Sequence, residues 1–128
     1  MTRTIIAAGL LALTMAPAMA QDTPPGQRVF NQCRSCHQVG PTAKNVIGPE
    51  LNGLIGRTAG SVPDYAYSEA NKASGIVWTE AVFAEYIKNP KAKIPGTKMA
   101  YAGLKDETQI ADLTTYLKTF KPDGSKAE

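Results

Sequence analysis

The segment from Asn31 to Gly40, NQCRSCHQVG, decides the fold. It holds both cysteines of the chain and its one histidine within five positions: Cys33, Cys36 and His37. Three chemistries use two cysteines separated by two residues. A redox disulfide of the thioredoxin type needs the pair at a helix start after a strand, and here the pair ends a helical segment with no strand before it. A structural zinc ion needs four ligands, usually cysteine or histidine, so carboxylates would have to complete the set. The third chemistry is covalent haem attachment, whose signature is C-x-x-C-H. On a helical turn, positions i and i+3 share one face. Both thiols can then reach the two vinyl groups of one porphyrin as thioethers, and the adjacent histidine lies under the ring to ligate iron.

The first twenty residues are set apart by composition. Arg3 is followed by the apolar run IIAAGLLALTM and then by APAMA, with Ala18 and Ala20 in a small-x-small pattern. This predicts a secretory signal peptide over residues 1–20, cleaved after Ala20, rather than a retained membrane anchor. Export with these bacterial features means the periplasm. Residues 21–128 then form a single domain of 108 residues, and no later stretch is apolar enough to span a membrane. Of four methionines only Met99 lies beyond the signal. Lys plus Arg falls from 14 to 13 on cleavage against 11 acids, a balance that excludes a nucleic-acid binder by composition.

Periodicity predicts helices and loops. Thr23 is a candidate cap for a first helix, with Pro24 or Pro25 in its first turn and Val29, Phe30 and Cys33 on one face, running into the cysteine motif. The Gly/Pro/Asn-bearing stretch from Val39 to Tyr65 offers little beyond a short helical turn at 50–55. So long a loop in a small domain suggests that a large cofactor fills the centre. A short helix follows between Ser68 and Gly75. The next is capped by Thr79, striped by Val82, Phe83, Tyr86 and Ile87, and ended by Asn89-Pro90. The last starts at Asp106 with Gln109 as a capping partner, and buries Ile110, Leu113, Tyr116, Leu117 and Phe120. The tail from about residue 123 is expected to be mobile. No segment alternates as a strand does, so the class is all-α, with about four to five helices and long loops around one covalently attached haem.

His37 fills one axial position of such a haem. The other is open or is filled by a second side chain, and Met99 is the remaining soft donor. A lone methionine can equally be core filler. Met99, however, lies in a loop broken by Pro90, Pro95, Gly96 and Gly103, off any helix stripe and far enough from His37 for the chain to wrap round a haem.

The segments CRSCH, GPELNGLIGR, YSEANKASGIVW, NPKAKIPGTKMAYAG and DLTTYLKTF follow in order without long insertions. Together they resemble the class I c-type cytochromes, specifically the bacterial cytochromes c2, close kin of mitochondrial cytochrome c. The resemblance implies one haem c held by Cys33 and Cys36, with His37 and Met99 as axial ligands. It implies that the Pro49 carbonyl orients His37, and that Arg57, Tyr67 and Trp78 hydrogen-bond haem propionates. Asn71, Tyr86 and Thr97 would form the polar set near the methionine sulfur. Gly26, Phe30, Leu113 and Tyr116 would form the contact between first and last helices. Phe30 stands three residues before Cys33 where mitochondrial relatives leave four, so a first helix one residue shorter is expected.

The function so implied is that of a diffusible, non-enzymatic electron carrier, a monomer. It would work between a quinol-oxidising cytochrome bc complex and a terminal oxidase or photosynthetic reaction centre. From Tyr86 to Lys105 the chain has five lysines and no acid. Lys88, Lys91, Lys93 and Lys98, with Lys44, Lys72 and Lys105, would ring the haem edge beside Tyr101 and steer the protein onto acidic partners. A haem enzyme or gas-binding protein would instead need an open sixth position, and a redox-active thiol protein would carry no haem.

Overall fold

A computed structural model describes residues 23–127. The expected signal peptide lies outside the described residues. Five helices are found among them: α1 Pro25–Phe30, α2 Glu69–Ala73, α3 Glu80–Lys88, α4 Pro90–Lys93 and α5 Glu107–Lys118. Two isolated bridges, Thr58 with Val77 and Phe120 with Lys126, are the β-type pairings among these residues. None of the described helices is long and apolar enough to cross a membrane.

α5 is the spine. The Asp106 side chain accepts from Gln109 N at 2.9 Å and starts it. Ile110, Leu113, Tyr116 and Leu117 then recur at helical spacing and are buried. α1 crosses this face where Gly26 meets it: a Cβ at Gly26 would overlap the Asp112 carbonyl oxygen and stand 2.5 Å from Tyr116 Cβ. The close approach therefore requires glycine, and it lets the Phe30 ring pack 5.5 Å from that of Tyr116. Phe30 and Leu113 are among the most deeply buried side chains.

Several local expectations are corrected. Pro24, not Thr23, is the N-cap of α1, and no side chain caps it, because a proline at N1 removes one of the donors a cap would satisfy. The α-helix stops at Phe30, but turn bonds continue the coil: Cys33 N to Phe30 O at 2.8 Å and His37 N to Cys33 O at 2.9 Å. The 50–55 segment is a string of turns, with Gly53 in the left-handed region and its N–H given to Phe120 O at 3.0 Å. Asn89-Pro90 ends α3 as expected and also begins α4. The Asn89 side chain accepts from Ala92 N, and proline fits the first turn.

The tail also departs from expectation. Residues 121–127 fold back through Lys121 N to Ser125 O at 2.8 Å and Ala127 N to Thr119 O at 2.7 Å. Gly124 is buried against the Gly40 carbonyl, where a side chain has no room. Lys126 Nζ sits 4.0 Å over the Phe120 ring.

Candidate haem site

Between the cysteine turn, the 94–101 loop and the inner faces of α3 and α5 lies a cavity of about 390 Å³. Cys33, Cys36, His37 and Met99 all line it. Its wall also includes exposed residues, Gln32, Ile47, Lys98 and Ala100, which mark its mouth.

His37 is fixed from both sides. Its Nδ1 is 2.7 Å from the Pro49 carbonyl oxygen. A carbonyl oxygen can only accept, so this contact requires a proton on Nδ1 and leaves the Nε2 lone pair for a metal. Behind the ring, Gly48 leaves no space for a Cβ, which would fall 2.7 Å from Nδ1. The Gly48 N–H to Cys36 O bond at 2.7 Å pins this loop to the motif. Burial, opposed by the Pro49 bond and helped by the Arg57 charge, lowers the His37 pKa and favours the neutral, ligating form. Burial, then the neighbouring Cys36, pushes the Cys33 thiol up to about 11.

Met99 is held as deliberately. The Tyr86 hydroxyl donates to its sulfur at 3.0 Å, and its own N–H goes to Thr97 Oγ1 at 3.2 Å. A thioether sulfur has two lone pairs, so the tyrosine occupies one and the other stays available. Burial, opposed by Thr97, pushes the Tyr86 hydroxyl up to about 12, so it remains a donor through the neutral range.

Arg57, Tyr67, Asn71 and Trp78 all reach the same cavity. The Tyr67 oxygen accepts from Val62 N at 3.1 Å, which leaves its own proton to donate. Arg57 Nη1 donates to the carbonyls of Glu50 and Asn52, at 3.0 and 3.2 Å. Burial lowers the Arg57 pKa, with the Tyr67 and Glu50 charges opposing. Asn71 Oδ1 is buried with no hydrogen-bond partner in the protein. A buried acceptor of this kind calls for a donor that the protein itself does not supply. Two thiols, a neutral imidazole, a thioether, a guanidinium and an apolar wall fit a haem with its two propionates.

The lysines divide. Lys98 and Tyr101 stand at the cavity, the first donating to Ala66 O at 2.8 Å and the second to Gln32 Oε1 at 3.0 Å. Lys44, Lys72, Lys88, Lys91, Lys93 and Lys105 do not line it. The acid-free run is also not free of acids in space. Lys88 pairs with Glu107 and Lys93 with Glu85 at 2.9 Å, while Lys72, before the run, pairs with Glu69 at 3.0 Å. Helix geometry and the α3–α5 contact bring these acids in from outside the run. Sequence reasoning missed Gly48, Ile47 and Tyr65. The Tyr65 hydroxyl ties the two loops at the mouth by donating to Ile47 O at 2.8 Å. A glycine next to Pro49 was the one visible hint.

The model of the family described as cytochrome c matches residues 24–121. Cytochrome c2 of Blastochloris viridis is 60% identical over 117 residues, which cover 91% of this chain and 92% of that one. Cytochrome c-550 of Bradyrhizobium diazoefficiens is 62% identical over 99 residues, covering 77% and 73%. Among solved structures, cytochrome c2 from Rhodospirillum centenum superposes with a TM-score of 0.73 at 37% identity, covering 78% of this chain and all of that one. Cytochrome cH from Methylobacterium extorquens gives 0.70 at 40% identity, covering 74% and 95%. The chain therefore belongs to the cytochrome c family, with that family's fold and its cofactor, a covalently attached haem c.

Proposed function

We propose that this chain is a soluble, periplasmic, one-electron carrier of the cytochrome c2 type and not an enzyme. It is exported by a signal peptide at residues 1–20 and works as a monomeric domain from residue 21. The observation that carries the reading is that His37 and Met99 line one cavity, each fixed by a protein hydrogen bond. Two protein ligands leave iron no free position for a substrate, so the site is suited to moving electrons rather than making bonds. Haem iron supplies a one-electron couple, and a thioether ligand raises its potential by favouring the ferrous state.

The remaining residues have work in this scheme. Cys33 and Cys36 hold the porphyrin, and the Pro49 carbonyl keeps His37 in one tautomer. Arg57, Tyr67 and Trp78 face the propionates, while Asn71, Tyr86 and Thr97 hold the polar side of Met99. Because both ligands are already placed, little moves between oxidation states. The mouth carries exposed Ile47 and Lys98 with Tyr101 beside them. This is the surface we assign to docking, with Lys44, Lys72, Lys88, Lys91, Lys93 and Lys105 supplying longer-range positive charge. The partners are a quinol-oxidising cytochrome bc complex as donor and a terminal oxidase or photosynthetic reaction centre as acceptor.

The test is the rate at which the reduced protein is oxidised by membranes carrying such an acceptor, measured across salt concentration. A fast reaction that slows as salt rises is expected. Failure to react, or a rate indifferent to salt, would remove the assignment.

A further inference from the structure

We propose that Glu50 tunes the reduction potential of the site by partly neutralising Arg57 at the cavity wall. The proposal rests on the haem reading of the cavity. Arg57 is the one arginine in that wall. Its Nη1 lies 3.6 Å from Glu50 Oε1, and the two side chains are only 15% and 21% exposed. Every other ion pair among the described residues has at least one partner more than half exposed. The Arg57–Glu50 pair is therefore the one least screened by solvent and salt.

Glu50 is also held in place. Its Oε2 accepts from Asn52 N at 2.6 Å, and its own N–H goes to Asn45 Oδ1 at 3.0 Å. A fixed carboxylate keeps a fixed distance from the cavity and acts as a permanent part of its field. The oxidised haem carries one more positive charge than the reduced one. An uncompensated guanidinium in the wall would favour the reduced state, and the Glu50 charge cancels part of that preference. Glu50 touches neither ligand, so it is a positioning and field residue, acting through Arg57.

The experiment is a spectroelectrochemical titration of the holoprotein with Glu50→Gln, beside wild type and Glu85→Gln. Glutamine keeps the size and an acceptor for Asn52 N while removing the charge. The expected result is a three- to tenfold shift of the reduction equilibrium toward the ferrous state, about 30 to 60 mV for one electron. Glu85, paired with Lys93 on the surface and 67% exposed, should give no resolvable shift. Glu50→Ala also removes the charge but loses the acceptor, and must move the potential in the same direction. An unchanged or lowered potential in E50Q, opposite signs in E50Q and E50A, or equal shifts in E50Q and E85Q would overturn the proposal. A wild-type protein without a c-type haem spectrum would overturn the haem reading instead, so the two failures are distinct.

Discussion

Replacing Tyr86 by phenylalanine exchanges one hydroxyl for a hydrogen and changes little else. The ring stays in the core, where Tyr86 is 7% exposed and packs 4.7 Å from the Trp78 ring. What is lost is the O–H donated to Met99 sulfur at 3.0 Å. That bond draws electron density from the sulfur. Ferric iron needs the density more than ferrous iron does, so the bond favours reduction, and its loss must lower the potential. A neutral hydrogen bond contributes about 1 kcal/mol net. If nearly all of it is felt in one oxidation state, the potential falls by about 40 mV, since about 1.4 kcal/mol corresponds to 59 mV for one electron. The assay is the same titration on Tyr86→Phe, with the visible spectrum confirming that methionine ligation persists. A potential that stays put or rises, with ligation intact, would refute the role given to Tyr86.

Four further outcomes are expected. Tyr86 makes the fold sensitive to alkali. Its folded pKa of about 12 lies above the ordinary value of 10, so the unfolded chain releases this proton first, and stability falls as pH rises from 10 toward 12. Tyr86→Phe should lose about 2 to 3 kcal/mol less than wild type over that window in denaturant titrations. Gly26→Ala forces a methyl into the Asp112 carbonyl and Tyr116 Cβ, and should cost about 1–3 kcal/mol, read as a lowered Tm. Asn52→Ala strips both bonds of the side chain that brackets Gly40, Oδ1 from Gly40 N at 2.8 Å and Nδ2 to Gly40 O at 2.9 Å. Gly40 N is left unpaired, while Gly40 O keeps its bond from Ala43 N at 3.1 Å, and the loss should cost about 1–3 kcal/mol by denaturant unfolding. Gly48→Ala displaces the His37 ring and should weaken axial ligation, seen as a spectrum that becomes sensitive to added imidazole.

The cysteine motif was readable because its chemistry needs two thiols and an imidazole at one spacing, and the chain offers no others beyond the motif. Three helices were readable because side-chain caps announce them: Ser68, Thr79 and Asp106 each accept from the backbone N–H three residues on. α4 was hidden because Asn89-Pro90, a stop signal for α3, serves equally as cap and first turn of the next helix. The tail was hidden because its composition is polar, while its anchorage is tertiary. Gly124 fits where it does only because Gly40 and Asn52 have already been brought beside it. The same limit applies to charge. Glu85 and Glu107 lie outside the lysine run in sequence and against it in space. Glu50, one position from a residue singled out for orienting His37, could be linked to Arg57 only once the turns at 50–57 were folded.

The most direct test of the central claim is the visible spectrum of the purified, haem-loaded protein, reduced and oxidised, before and after carbon monoxide. With His37 and Met99 both on iron, the reduced bands should be sharp and unmoved by carbon monoxide, and the oxidised form should show the weak red methionine–iron band. Rapid conversion of the reduced spectrum by carbon monoxide would mean an open sixth position, and the assignment of Met99 and of a pure electron carrier would both fall.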